Sequence, residues 1–339
     1  MLDNSFFYLT DLAEGLFERS FLFATAAGSI SVLTSPMEKL LVDPSSSIDV
    51  ATFLKSGELS GKLKKLAKSI GRKSAPVIGL NYGELTVELL ETIKSVFKDS
   101  EFVDVSPYLG RARQIKDPSE IDRIKTACDI GSAVYEKIPD FLGEGVTEGD
   151  IAASMAFEMQ KNGSASLPFD TIVGFGKNSA FPHHFAGRTR LKKNDFVLMD
   201  YGAKDHGYCS DITRTLVYGR ASKVQREMYE TVLEANAMGI ESCTTENIGE
   251  EINSKIGNFL ISKGYKVIHG FGHSIGRAVH DGHALDNNPE RLRPGMVITV
   301  EPAVYKPGVG GVRIEDDVLI TKSAPRVLTS AKKEMIEVI

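Results

Sequence analysis

The sequence predicts an α/β domain over residues 1–112 followed by an α+β domain over residues 113–339. Three observations predict it. Short apolar runs alternate with helix-like stretches in the first third of the chain, a proline-led helix start opens at Asp117, and helix pairs and strands then follow one another twice. A length of 339 residues also exceeds an average single domain.

In the first domain, residues 21–27 and 30–34 predict a hairpin joined at Gly28-Ser29. Residues 62–70 predict an amphipathic helix with Leu63, Leu66 and Ile70 on one face, its lysines forming a solvated face rather than a nucleic-acid patch. Residues 76–80 predict a strand, 84–97 a helix and 101–105 another strand, which completes a βαβ rhythm. Residues 110–114 are polar and aperiodic, so the domain boundary is placed there.

The second domain opens with Asp117-Pro118-Ser119-Glu120, a capping residue, a proline at the first helical position and a glutamate three residues after the cap. Ile121, Ile124, Cys128, Val134 and Ile138 continue at helical spacing. Thr147 starts a second helix that ends at Asn162-Gly163. Residues 195–203 and 207–218 predict a second hairpin, and helices follow over 223–243 and 248–263. Strands are then expected to run through 296–305 and 312–320. The order of helix pair, strands, helix pair, strands implies two related halves, although no repeat of residue identity marks them.

Composition excludes several function classes. With 42% hydrophobic and 25% charged residues and a net charge of −5, the chain is an ordinary globular one with no electrostatic case for nucleic acid. Its apolar runs are far shorter than a membrane span, and Met1-Leu2-Asp3-Asn4 lacks the basic and apolar regions of a secretory signal. Three cysteines without a CxxC pair indicate reduced thiols, and a cytoplasmic location is expected.

The chemistry is carried by acids in apolar surroundings. Asp200 follows Phe196-Val197-Leu198-Met199, and Glu301 follows Val297-Ile298-Thr299-Val300. Asp211 and Glu315 stand beside Ile212 and Ile314. A buried, unpaired carboxylate costs several kcal/mol or takes up a proton. Any one of these acids alone is more simply read as solvated or ion-paired. Four together require compensating positive charge, and two divalent cations would supply it. His273 lies in His269-Gly270-Phe271-Gly272-His273-Ser274-Ile275-Gly276, where glycines allow close backbone approach. The stretch lacks the G-x-G-x-x-G spacing of a dinucleotide loop. Oxygen donors with one imidazole suit Mn²⁺, Fe²⁺ or Co²⁺ better than a thiolate-seeking metal.

Taken together, Met199-Asp200-Tyr201-Gly202, Ser210-Asp211-Ile212-Thr213-Arg214-Thr215, Gly272-His273-Ser274-Ile275-Gly276, Glu301-Pro302 and Gly311-Val312-Arg313-Ile314-Glu315-Asp316 resemble the pita-bread metallopeptidase family. That family includes prolidase, aminopeptidase P and methionine aminopeptidase. The resemblance implies a pita-bread catalytic domain behind an N-terminal domain of the creatinase/prolidase type, and it is strongest to Xaa-Pro dipeptidase. It implies that Asp200 holds one metal, His273 and Glu301 the other, and that Asp211 and Glu315 bridge both. Of the metals, Mn²⁺ or Co²⁺ is expected, with Fe²⁺ or Zn²⁺ the other candidates. A hydroxide between the metals would attack the peptide bond before proline.

The resemblance also implies two catalytic histidines. His183, after Pro182, would contact substrate near the scissile bond, with His184 the bland neighbour. His280 would stabilise the oxyanion. Arg313 either meets a substrate carboxylate or balances the charge of a bridging acid, and Tyr305 lines the site. Glu246 and His269 are expected to be structural or surface residues. Two departures from the family pattern are Ser274 in place of a glycine and the run His280-Asp281-Gly282-His283. The expected partner is a proline-containing peptide, and the expected assembly a homodimer. Aminopeptidase P activity on longer peptides is the alternative. A non-catalytic peptide-binding protein on the same fold is a further one, which the intact ligand set disfavours.

Overall fold

The structure is a computed structural model and describes all residues except 1–2, 13–14, 19 and 70–75. It falls into two compact units, Met1–Ala112 and Arg113–Ile339.

The first unit begins with α1 (Asn4–Thr10), capped by the Asp3 carboxylate. β1 (Phe21–Ala24) and β2 (Ile30–Thr34) form the expected hairpin, with Gly28 at φ +85° in its turn. After the short α2 (Pro36–Lys39), β3 (Asp49–Thr52) pairs parallel to β2. The helix α3 (Ser56–Ser69) buries Leu63, whereas Ile70, expected on the same face, lies outside the described residues. β4 (Val77–Leu80), α4 (Val87–Val96) and β5 (Glu101–Asp104) form a parallel βαβ unit. Phe6, Phe7, Phe17, Val32 and Val42 make a small core. The expected irregular stretch at 110–114 is instead the end of a helix, α5 (Ser106–Gln114). Pro107 near its start favours helix, while Arg111 and Ala112 on its exposed side leave no apolar period to read.

In the second unit, α6 (Pro118–Tyr135) carries the complete capping box: Glu120 N donates to Asp117 Oδ1 and Asp117 N to Glu120 Oε2, each at 2.9 Å. The short α7 (Ile138–Phe141) leads to α8 (Glu148–Lys161), capped by Thr147. These helices pack on one face of a four-stranded sheet. It contains β6 (Ile172–Phe175), β7 (Asp195–Tyr201), β10 (Ile212–Tyr218) and, parallel to β10, the C-terminal β16 (Glu337–Val338). Between β7 and β10 lies a ribbon, β8 (Lys204–Asp205) with β9 (Tyr208–Cys209), so the expected hairpin is longer and bent.

The second half repeats the plan. α9 (Lys223–Glu241) and α10 (Gly249–Ser262) share a core with β11 (Val297–Val300), β12 (Ala303–Lys306), β13 (Gly310–Arg313) and β14 (Asp316–Leu319), and β15 (Arg326–Val327) borders β14. Thr147 bridges Arg190 as Ile248 bridges Arg291. Each arginine donates to a carbonyl 45 residues upstream, Gly145 in one half and Glu246 in the other. The repeat is one of backbone plan.

Two expected strands prove to be broken. Residues 296–305 divide into β11 and β12 at Glu301-Pro302, and 312–320 into β13 and β14 at Ile314-Glu315. β11 pairs with β14 and β12 with β13, so the chain changes sheet at both places. Pro302 has no N–H to continue a ladder. Glu301 and Glu315 therefore sit at strand ends rather than within strands. Replacing Asp117 with alanine should lower stability by about 0.5–2 kcal/mol through loss of the α6 cap, measurable by urea denaturation.

Candidate metal centre

Strand breaks place three of the four acids, and the fourth lies within β7. Asp200, near the end of β7, lies opposite Thr213 on β10. Asp211 occupies the gap between β9 and β10, and its backbone N–H donates to Asp317 Oδ2 at 3.0 Å. Glu315, in the gap between β13 and β14, accepts from Thr213 Oγ1 at 2.7 Å. Glu301 follows the last residue of β11 and donates its N–H to Phe271 O.

His273 is brought to them by its glycines. A Cβ on Gly272, at φ +153°, would meet Thr299 O at 2.1 Å, so only glycine permits this approach to β11. His273 N then donates to Thr299 Oγ1 at 3.1 Å, and Thr299 N to His273 O at 2.8 Å. Ser274 has no positive φ and fits without strain.

Donor atoms of Asp211, His273 and Glu315 all lie within 4.8 Å of one another. His273 Nε2 stands 3.6 Å from Asp211 Oδ2 and 3.7 Å from Glu301 Oε1, wider than a hydrogen bond. Asp200 stands apart from this group in one respect, since its Oδ2 accepts from Arg313 Nη2 at 2.6 Å. Asp200 Oδ1 and Asp211 Oδ1 are buried without a hydrogen-bond partner.

The electrostatics follow from burial. Burial, then the charges of Glu315 and Asp200, pushes Asp211 well above the usual carboxylate range. Burial, then Glu301 and Asp200, does the same to Glu315. Burial raises Glu301 to about 8 despite Arg313. His273 is lowered to about 4 by burial and by His280, which keeps its imidazole neutral. Orphaned carboxylate oxygens, a neutral imidazole and unbalanced negative charge fit a divalent cation of the oxygen- and nitrogen-seeking kind.

Around this group the other expected residues fall as follows. The ring of His280 stacks on that of His273 at 3.9 Å and 21°, while the residue is otherwise exposed. His183 is exposed and within electrostatic reach of His280 and His269. His184 is turned to a structural task, its Nε2 3.0 Å from the fully buried Glu148. Arg313 is 3% exposed and spends three donors on Thr213 Oγ1, Tyr305 OH and Asp200 Oδ2. Its link to Glu315, the bridging acid it was expected to balance, runs through the Thr213 hydroxyl.

Several members of the network were not legible beforehand. His269, expected to be structural or a surface residue, has Nε2 3.0 Å from Tyr305 OH and so extends the chain Tyr305–Arg313–Asp200. Thr213 and Thr299 hold ligand segments through their hydroxyls. Asp317, fully buried and raised to about 7 by burial, accepts from Asp211 N and from Cys128 Sγ. A sequence signal existed for His269, four residues before His273 in the same Gly-rich stretch, and for Thr213, inside the motif around Asp211.

An α+β unit with acids and one histidine gathered around its strand ends fits a metal-dependent hydrolase, and comparison with known proteins names the family. Residues 122–322 match Metallopeptidase family M24, and the chain belongs to that family. It is 36% identical over 311 residues to a Xaa-Pro dipeptidase of Pyrococcus horikoshii, covering 91% of this chain and 86% of that one. A solved Xaa-Pro dipeptidase from Bacillus anthracis superposes with a TM-score of 0.91 at 32% identity, covering 99% and 93% of the two chains. An X-Pro aminopeptidase from Thermotoga maritima gives 0.90 at 29% identity, covering 98% and 93%. The likeness spans both the N-terminal α/β region and the catalytic domain.

The pKa directions predict how the metal-free protein responds to pH. Folded Glu301 holds its proton to about 8, whereas the unfolded chain releases it near 4.5, and Asp211, Glu315 and Asp317 shift the same way. Their stabilisation is present below the unfolded values and is lost as pH rises. His273 acts oppositely, its contribution being lost as pH falls from 6.5 to about 4. The melting temperature of chelator-treated protein should therefore fall between about pH 5 and pH 8, and Mn²⁺ should restore it at the upper end. A profile unchanged by pH and metal would contradict the assignment of these groups.

Proposed function

We propose that this protein is a Xaa-Pro dipeptidase that binds two divalent metal ions, Mn²⁺ or Co²⁺ being the leading pair. The observation that carries the reading is the convergence of Asp211, His273 and Glu315 donor atoms within 4.8 Å beside Glu301 and Asp200. Asp200 would hold one ion, His273 and Glu301 the other, and Asp211 and Glu315 both. When bound, the ions supply a water of lowered pKa and electrophilic stabilisation of a carbonyl oxygen.

The chain's own residues supply orientation and proton control. Arg313 holds Asp200 Oδ2 at 2.6 Å and so leaves Oδ1 free for a cation. Arg313 would meet a substrate carboxylate through the two N–H groups not given to Thr213, Tyr305 and Asp200, while Tyr305 orients it and gives its own hydrogen to His269 Nε2. His280, exposed and stacked on the buried His273, would donate a hydrogen bond to the scissile carbonyl oxygen as that oxygen gains charge. His183 holds the substrate backbone near the scissile bond. The amide before proline carries no N–H, so selection rests on pocket shape rather than on a hydrogen bond to that nitrogen.

Dipeptidase activity is favoured by the relatives named Xaa-Pro dipeptidase. Action on longer peptides, as in an aminopeptidase P, is the second reading, favoured by the T. maritima X-Pro aminopeptidase, which covers almost the same share of the chain. The reading extends to a cytoplasmic homodimer, supported for location by three buried free cysteines and tested for assembly by light scattering.

Metal-free protein reconstituted with Mn²⁺ or Co²⁺ should hydrolyse Xaa-Pro dipeptides and leave Xaa-Pro-Yaa and Met-Xaa peptides intact. Turnover of the longer proline peptide alone would establish the aminopeptidase reading, and turnover of none with metal bound would sink both. Asp211→Ala should abolish dinuclear metal binding and activity together. His280→Ala should retain metal and lose about 10²–10³-fold in kcat.

A further inference from the structure

Val300, the last residue of β11, and Ile314, just past the end of β13, each carry the carbonyl immediately before a proposed ligand, Glu301 or Glu315. One side chain serves both. Asn236, on α9 and fully buried, donates from Nδ2 to Val300 O at 3.1 Å and to Ile314 O at 3.3 Å. A third partner sets the orientation of the amide. Lys333 Nζ donates to Asn236 Oδ1 at 3.0 Å, and an ammonium can only donate, so the oxygen must face it.

We propose that Asn236, held by Lys333, is a positioning residue that sets the separation of Glu301 and Glu315 and thereby the affinity of the centre for divalent ions. The inference rests on the assignment of those two acids as ligands. A planar NH₂ group presents its two hydrogens in fixed, diverging directions, and each here ends on the carbonyl one residue before a ligand. Any shift of the amide is passed to both carboxylates across one α-carbon each. The amide itself stands on a rigid support. A Cβ at Gly239, one turn further along α9, would meet Val300 Cγ1 at 2.7 Å, so the helix lies directly against the strand end it clamps. Lys333 also pairs with Asp316 Oδ2 at 3.1 Å, but Asp316 is fixed independently by Arg214 Nη2 and Thr329 Oγ1, each at 2.7 Å. Lys333 thus reaches both ligand carbonyls by hydrogen bonds through Asn236, whereas at Asp316, next to Glu315, it supplies charge.

The test is calorimetric titration of full-length, chelator-treated protein with Mn²⁺, alongside its melting temperature without metal. Asn236→Leu keeps the side-chain size and removes the donors. Lys333→Met, at a partly exposed position, removes the holder with little risk to folding. Partners that orient a metal's ligands are worth about 10–100-fold in metal affinity, and a loss of that size is expected for Asn236→Leu. A smaller loss is expected for Lys333→Met, with recovery in Lys333→Arg. Mn²⁺ binding by Lys333→Met equal to that of the unaltered protein overturns the proposal, whether or not Asn236→Leu folds. So does a fall in melting temperature without a fall in affinity, which marks a purely structural role. Failure of the unaltered protein to bind Mn²⁺ would instead overturn the ligand assignment, so the two failures are distinguishable.

Discussion

The structure depends on the mutual repulsion of carboxylates held out of water. Asp211 and Glu315 are almost fully buried, and Glu301 and Asp200 raise their pKa values further. Arg313 is the one cation in direct contact with the group among the described residues, and it faces Asp200. In a medium of low dielectric such a set is stable only if it takes up protons or meets added positive charge. The surrounding architecture reads as a means of imposing that condition: the Thr213 hydroxyl fixes Glu315 and the buried Arg313 fixes Asp200, while Asp211 Oδ1 is buried without a partner. A site built this way gains its affinity for a cation from the cost of leaving it empty.

The same constraint accounts for the shape of the strands. An acid in a continuous ladder alternates between two faces and meets only its own neighbours. At a break, the chain changes direction and the side chain can point between sheets. Glu301, Glu315 and Asp211 all occupy such breaks, and Pro302 enforces one of them. Carbonyls beside the breaks also accept from side chains elsewhere in the chain, Val300 and Ile314 from Asn236 and Thr213 and Glu315 from Arg214 Nη1. Helix packing and ligand geometry are thus one problem, solved by the doubled helix-and-strand plan of the catalytic unit.

Much of this was legible in the residues. The capping boxes at Asp117 and Thr147 announced their helices, because they are local, reciprocal hydrogen bonds within four residues. Acids following apolar runs announced a charge that needed compensation. The breaks themselves were not legible: residues 296–305 and 312–320 have the apolar content of continuous strands, and only pairing with different partners divides them. α5 was missed because an exposed, arginine-bearing helix has no apolar period. His269 and Asp317 were missed because their roles lie in contacts with Tyr305 and Asp211, distant in sequence.

By itself, then, the sequence determined the family to which the chain belongs and which acids and histidine to look for, since residue types and their order are properties of the chain. Only the tertiary structure decided how those residues are held: Asp200 by Arg313, His273 by Thr299 and the close approach of Gly272, and Glu301 with Glu315 by one amide from α9. The physical reason is that burial and partner choice are set by segments far apart in sequence. A carboxylate's pKa and its orphaned oxygen exist only once those segments have packed.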